Sequence, residues 1–244
     1  MKTSWFTTIA LLPLLAAPVA AQEVFADWTS ADATGASGSL DTIGITVSVD
    51  NLVNAGASFP NIVTSDGAAN YPDVWFTPTP PTGLDWLSGG IGNTSGAAVG
   101  SAEITVSFSE SVDNPKFHFL NLDNGTVDFG AVTIARLSGN PEFEVTGNVG
   151  NATPAEALAG GCEDALGNNP NGACGTVEIA GPIASVTFVL TDTNLSTGSG
   201  DGFNWTLSIP PQLDPTVDVP TLSALGGALL ALLLAGLGLA WLRR

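Results

Sequence analysis

The residues able to do covalent or ligand chemistry are few. Two cysteines, Cys162 and Cys174, bracket Asn168-Asn169-Pro170-Asn171-Gly172, and the one histidine, His118, stands between Phe117 and Phe119. In an oxidising compartment an even pair of cysteines around a loop that bends readily reads as a disulfide. Closing a loop of this size contributes on the order of 3 kcal/mol. A metal site is the rival reading, but Cys162, Cys174 and His118 exhaust the Cys and His ligands of the chain. His118 also lacks a free cysteine and a Gly-x-Ser-x-Gly elbow to work with, so nucleophilic hydrolysis is unsupported and the histidine reads as a strand residue. Two carboxylates suffice for glycoside hydrolysis, yet the 23 Asp and Glu residues show no motif that singles out a pair. The expectation is a protein without enzymatic activity.

Two segments offer binding rather than catalysis. Asp192, Asn194 and Asp201, in the loop that runs to Gly200-Asp201-Gly202, present three oxygen-bearing side chains that could cap a structural Ca²⁺, the one candidate cofactor. Their spacing does not fit an EF-hand, and Asx turns explain the same residues without a metal. Trp75 and Trp86 flank the proline-rich Thr77 to Thr82 and could offer rings to a sugar. Aromatics beside prolines also serve simply to pin a loop to a core.

These groups must be carried by something, and the two ends say where it resides. Met1 to Ala21 joins a charged start, an apolar stretch and the small residues Val19-Ala20-Ala21, which is a secretory signal peptide with Gln22 as the first mature residue. Pro13 and Pro18 interrupt a run already too short to span a bilayer. At the other end, residues 222–242 carry no charge, match one transmembrane helix in length, and are followed by Arg243 and Arg244. The arginine pair stops transfer on the cytoplasmic side, so the body lies on the exported side.

Just before that span stand Val219, Pro220, Thr221 and Leu222. Val-Pro-Thr-Leu-Ser, a Gly/Leu/Ala-rich span and a terminal arginine pair together resemble the IPTL-CTERM sorting signal, a relative of the PEP-CTERM signals of exported proteins in Gram-negative bacteria. Val219 stands where that family has Ile. The resemblance implies recognition by an exosortase-type membrane transpeptidase and an association with exopolysaccharide and biofilm. Pro220 has a physical part in it, since it fixes φ and keeps Val219 extended, a form that a processing enzyme can grip.

Between the ends, from Gln22 to Pro215, Lys116 and Arg136 are the only basic residues, while all but Asp218 of the acidic residues fall there. Such a surface repels phosphate backbones and anionic headgroups, which excludes nucleic acid as a partner and favours cations. Gly, Thr, Ser, Asn and Asp are abundant and helix formers scarce, the profile of short strands and turns. Ile43, Ile45, Val47 and Val49 alternate with small or polar residues, as do Ile104, Val106 and Phe108, then Val186, Phe188 and Leu190, then Trp205, Leu207 and Ile209. Period two means strands with one buried and one wet face.

Further strands are expected at 116–122, 127–137, 143–146 and 176–179, with a hairpin at Asn124-Gly125 and a β-bulge or bend at Gly130, where the apolar phase slips. The sum is about eight to ten strands packing as an all-β, antiparallel two-sheet sandwich, jelly-roll-like or immunoglobulin-like. Ser107 to Leu122 and Gly200 to Trp205 are similar to the β-sandwich ectodomains of PEP-CTERM-type surface proteins, which have no agreed activity. The expected layout is a signal peptide at 1–21, a β-sandwich ectodomain at 22–209, a Pro-rich linker at 210–218 and a sorting signal at 219–244. The function expected is that of an exported cell-surface or matrix-associated protein, structural or adhesive, anchored by its C-terminus until processed. The alternative is a carbohydrate-binding or carbohydrate-processing ectodomain, with extracellular polysaccharide as partner.

Overall fold

The computed structural model describes residues 22–53, 60–64, 75–81, 83–91, 100–122, 125–152, 172–192 and 201–211, together with 228, 229 and 232. The expected signal peptide at 1–21, Cys162, Asn194, Val219, Pro220, Thr221, Leu222, Arg243 and Arg244 lie outside the described residues. The chain divides into two units, Met1–Pro210 and Pro211–Arg244. In the second, Ala228, Leu229 and Leu232 are helical and exposed. Among the described residues no helix is long and apolar enough to cross a membrane.

The first unit is built from strands. In chain order these are β1 (Val24–Phe25), β2 (Asp27–Asp32), β3 (Gly35–Leu40), β4 (Ile43–Val53), β5 (Asn61–Thr64), β6 (Asp85–Ile91), β7 (Gly100–Asp113) and β8 (Lys116–Leu122). There follow β9 (Gly125–Asp128), β10 (Ile134–Gly139), β11 (Phe143–Thr146), β12 (Val149–Ala152), β13 (Ala173–Ile179), β14 (Pro182–Asp192) and β15 (Asp201–Ile209). The pairings described are antiparallel and make two sheets. One has the order β11-β12-β9-β14-β7-β4-β3-β2; the other runs β10-β13-β8-β15-β6-β5, with β1 added beside β15.

The sandwich closes because the alternation of each long strand supplies one apolar face. In β7, Ala102, Ile104, Val106 and Phe108 are buried while Ser101, Glu103, Thr105 and Ser107 point the other way. From the facing sheet, Phe117, Phe119, Trp205 and Leu207 enter the same core. Phe188 sits at its centre, 5.2 Å from Phe129, 5.5 Å from Trp205 and 5.7 Å from Phe117 between ring centroids. Buried aromatic pairs add about 0.5–1.5 kcal/mol each beyond their area.

One expected hairpin and one expected strand are corrected. Asn124-Gly125 does not join a hairpin, because β8 and β9 belong to different sheets. Phe119 and Val127 bury toward one interior from opposite sides, and the chain must cross between sheets to let them do so. The single strand expected over 127–137 is likewise two strands in two sheets, and Gly130 is the bend of the two readings expected there, the corner between them. Its φ of +60° is one that glycine adopts without steric cost. Asp128 Oδ1 accepts its amide at 2.8 Å, and Asn148 Nδ2 donates to its carbonyl at 2.7 Å.

More strands form than periodicity announced. In β3, Gly38 has its neighbours so close that a Cβ would collide with the Asp27 carbonyl and the Trp28 ring. Small residues there bring the β2 backbone in, a signal that apolar alternation does not carry.

Candidate functional site

The outer face of the seven-stranded sheet carries the residues with chemical potential. Phe117 and Phe119 of β8, Val177 and Ile179 of β13 and Trp205, Leu207 and Ile209 of β15 feed the core, so the positions alternating with them turn outward: Leu120 and His118, Cys174 and Thr176, Thr206 and Ser208; past a shift in register, Leu122 returns to the core. The register sets Thr176 beside His118 and His118 beside Thr206. All six are buried, because two segments cover them. Strand β1 brings Phe25, stacked on the His118 ring at 5.3 Å. The segment from Trp75 to Leu84 brings Phe76, which meets His118 edge-on at 6.1 Å and Trp86 at 5.6 Å. Phe76, Leu84, Trp86, Leu120 and Cys174 form a second, smaller apolar cluster.

His118 is 0% exposed, with Nδ1 2.9 Å from Thr176 Oγ1 and Nε2 2.9 Å from Ser208 Oγ. Burial, with a smaller push from the Lys116 charge, lowers its pKa from 6.5 to about 3, so the ring is neutral. The neighbours assign the tautomer. Ser208 Oγ lies 3.5 Å from Glu23 Oε1, and a carboxylate only accepts, so Ser208 donates to it. Nε2–H then donates to Ser208, and the bare Nδ1 accepts from the Thr176 hydroxyl, whose oxygen takes the Thr77 amide at 3.1 Å. Glu23 closes the chain of bonds by pairing with Lys116. A histidine–serine pair has the chemical parts of a nucleophile and base. Here Ser208 and His118 are both 0% exposed beneath Phe25 and Phe76, so the network fastens β1 and the 75–84 segment to the sheet.

Trp86, expected to present its ring to a sugar, is only 1% exposed and packs under Phe76; that expectation is corrected. The outer side of β6 is covered by the chain's own proline-rich segment, so the indole lies inside. Trp75 is half-buried, and its carbonyl accepts from Ser138 Oγ at 3.0 Å. Asp192 is buried at the end of β14, whereas Asp201 begins β15 in the other sheet. Among the described residues, no cluster of three or more His, Cys, Asp or Glu side chains could hold a metal ion. None of these residues is a free cysteine.

Sequence reasoning missed an open cavity of about 310 Å³ beside the β1–β2 junction. Phe25, Ala26, Asp27, Pro81, Gly83, Leu84 and Asp85 line it. Its walls ride on paired backbone: Phe25 opposite Ser208, Asp27 opposite Ser39, and Asp85 opposite Thr64. No periodic signal links positions 25–27 to 81–85; only the tertiary fold brings them together.

No protein-family model, curated protein or solved structure matches this chain.

Proposed function

We propose that this chain is an exported, non-enzymatic surface or matrix-associated protein of a Gram-negative bacterium, whose sandwich domain is structural or adhesive. In this reading residues 1–21 are removed on export. An exosortase-type enzyme acts at Val219-Pro220-Thr221-Leu222, and the helix at 222–242, stopped by Arg243 and Arg244, holds the chain in the membrane until then. Cys162 and Cys174 are joined.

The observation that carries the reading is the outer face of the eight-stranded sheet. Ser37, Thr46, Ser107 and Ser185 stand in one rank across β3, β4, β7 and β14. Hydroxyls meet across strands, Thr105 with Thr187 at 2.8 Å and Ser107 with Ser185 at 3.3 Å. None of the strands of this sheet contains Lys, Arg or His. A broad face of small hydroxyls and scattered carboxylates suits a protein that makes extended polar contacts in water, and among the described residues His118 and Cys174 are kept inside.

The test is the intact mass and location of the protein in wild-type and Pro220→Ala cells. A signal peptidase product that also ends near Val219 in wild type, with precursor retained in the inner membrane of the variant, supports the sorting route. Masses ending at Arg244 in both refute it and leave a plain anchor. Loss of surface attachment or matrix cohesion in deletion cells tests the adhesive role separately.

A further inference from the structure

We infer that β1 is a latch whose closure over His118 and removal of the N-terminal leader exclude one another, so that the leader is cut first and the latch closes after it. The inference rests on the export reading, in which the chain is cut between Ala21 and Gln22. On the mature side of that bond Gln22 is exposed, and Glu23 is already tied to the body of the sandwich. Two residues of extended chain reach about 7 Å, so the cut and the first anchor of the fold are neighbours.

The latch is held along its whole length. Glu23 pairs with Lys116 and accepts the Ser208 hydroxyl, with Oγ 3.5 Å from Oε1. Val24 lies opposite Ile209 and packs against the main core. Phe25 lies opposite Ser208, packs against the smaller cluster and stacks on the His118 ring at 5.3 Å. The Ala26 amide donates to the Leu207 carbonyl at 2.9 Å. This short strand fills a place that β6 leaves open: β6 pairs with β15 from Asp201 to Trp205, and β1 takes up the same edge at Ser208 and Ile209.

A peptide-binding cleft takes its substrate as an extended strand, through backbone bonds and pockets for alternate side chains. Glu23, Val24 and Phe25 cannot lie in a peptidase cleft while their backbone is paired with β15 and Phe25 covers His118. Latch and enzyme therefore compete for the same residues, which orders the two events. Closure is favourable once the chain is free. It returns Val24 and Phe25 to apolar surroundings. It also gives a carboxylate to Lys116, whose side chain is only 12% exposed and whose charge is costly to leave unpaired there. His118 and Ser208 receive their cover in the same step.

The test uses full-length precursor, accumulated in cells whose signal peptidase is inhibited and purified in detergent. It is compared with the mature form and with a precursor that carries a flexible Gly/Ser spacer of about six residues between Gln22 and Glu23, which separates cut from latch. Hydrogen exchange read by mass spectrometry follows residues 23–28, with β7 and β14 as the check that the sandwich is folded. Purified signal peptidase is then added, and the cut after Ala21 is timed by intact mass. The expected result is that no form is both latched and quickly cut. A precursor protected at 23–28 should be cut at least about tenfold more slowly than the spacer form; one open at 23–28 should be cut as fast as the spacer form and become protected afterwards. A precursor protected at 23–28 and cut as fast as the spacer form overturns the inference, as does a mature form in which 23–28 exchange freely. A chain that the peptidase leaves whole in every form, spacer included, refutes the leader itself and the inference with it.

Discussion

Asn140 and Cys174 hold each other by a reciprocal pair of bonds: the Asn140 amide donates to the Cys174 carbonyl at 3.0 Å, and the Cys174 amide donates to Asn140 Oδ1 at 3.2 Å. The same side chain accepts the Phe143 amide at 3.1 Å and donates to the Gly172 carbonyl at 2.8 Å. Asn140 is 1% exposed, so none of these groups has water as a substitute. Asn140→Ala should destabilise the domain by roughly 2–5 kcal/mol, because it orphans several buried backbone groups at once. Urea unfolding measures it, as a lower midpoint at unchanged slope.

Nearby, Phe143 lies across Gly175 so closely that a methyl there would collide with the ring and sit 2.6 Å from the Ser138 carbonyl oxygen. Gly175→Ala should therefore cost about 1–3 kcal/mol through overpacking, where most surface substitutions cost almost nothing. A double variant with Phe143→Leu should recover part of that loss, which thermal unfolding can read.

The stability of the domain should fall as pH drops from His118's ordinary 6.5 toward its value in the fold, about 3. In that window the unfolded chain takes up a proton that the buried ring refuses, so the loss is roughly 1.4 kcal/mol per pH unit. Glu142 works the other way: burial raises its carboxyl, so its contribution fades as pH rises. Asp32, held low by hydrogen bonds from Thr34, adds a loss in the same direction at the acid end, so chemical denaturation across the window uses Glu142→Gln and Asp32→Asn as controls. The single imidazole should also show no NMR titration from about pH 8 down to about pH 4.

If Cys162 and Cys174 are joined, thiol labelling of the purified exported form without reductant should yield no adduct. Reduction should then lower stability by about 3 kcal/mol. Adducts at two thiols would contradict the pairing.

The sandwich could be read from Ile43 to Val49, Ile104 to Phe108, Val186 to Leu190 and Trp205 to Ile209, because strands wet on one side stamp their period on the sequence. Strand β3 was hidden, and the bend at Gly130 was legible without its change of sheet, since glycine marks close approach or positive φ without saying which sheet comes next. The candidate site was less legible still. His118 finds its partners 58 and 90 positions away, and nothing local distinguishes Thr176 or Ser208 from other hydroxyls. Trp86 was misjudged because its sequence neighbours are polar and proline-rich, while what covers it is decided by the fold. The cavity required Phe25 and Asp27 to meet Pro81, Gly83, Leu84 and Asp85, a tertiary fact.

Val24 is paired with Ile209, so the first and last strands of the sandwich begin and finish side by side. The two ends of the domain are therefore within reach of a short linker. Joining 210 to 22 through a short linker and opening the chain at the Gly147 turn, where φ is +61° and a Cβ would meet nothing, interrupts only the link between β11 and β12. Such a circular permutant keeps every other connection of the sandwich and places both new termini at a hairpin remote from β1 in sequence. It also frees the domain from whatever the original C-terminal segment does, so the sandwich can be displayed or multimerised as a module in its own right.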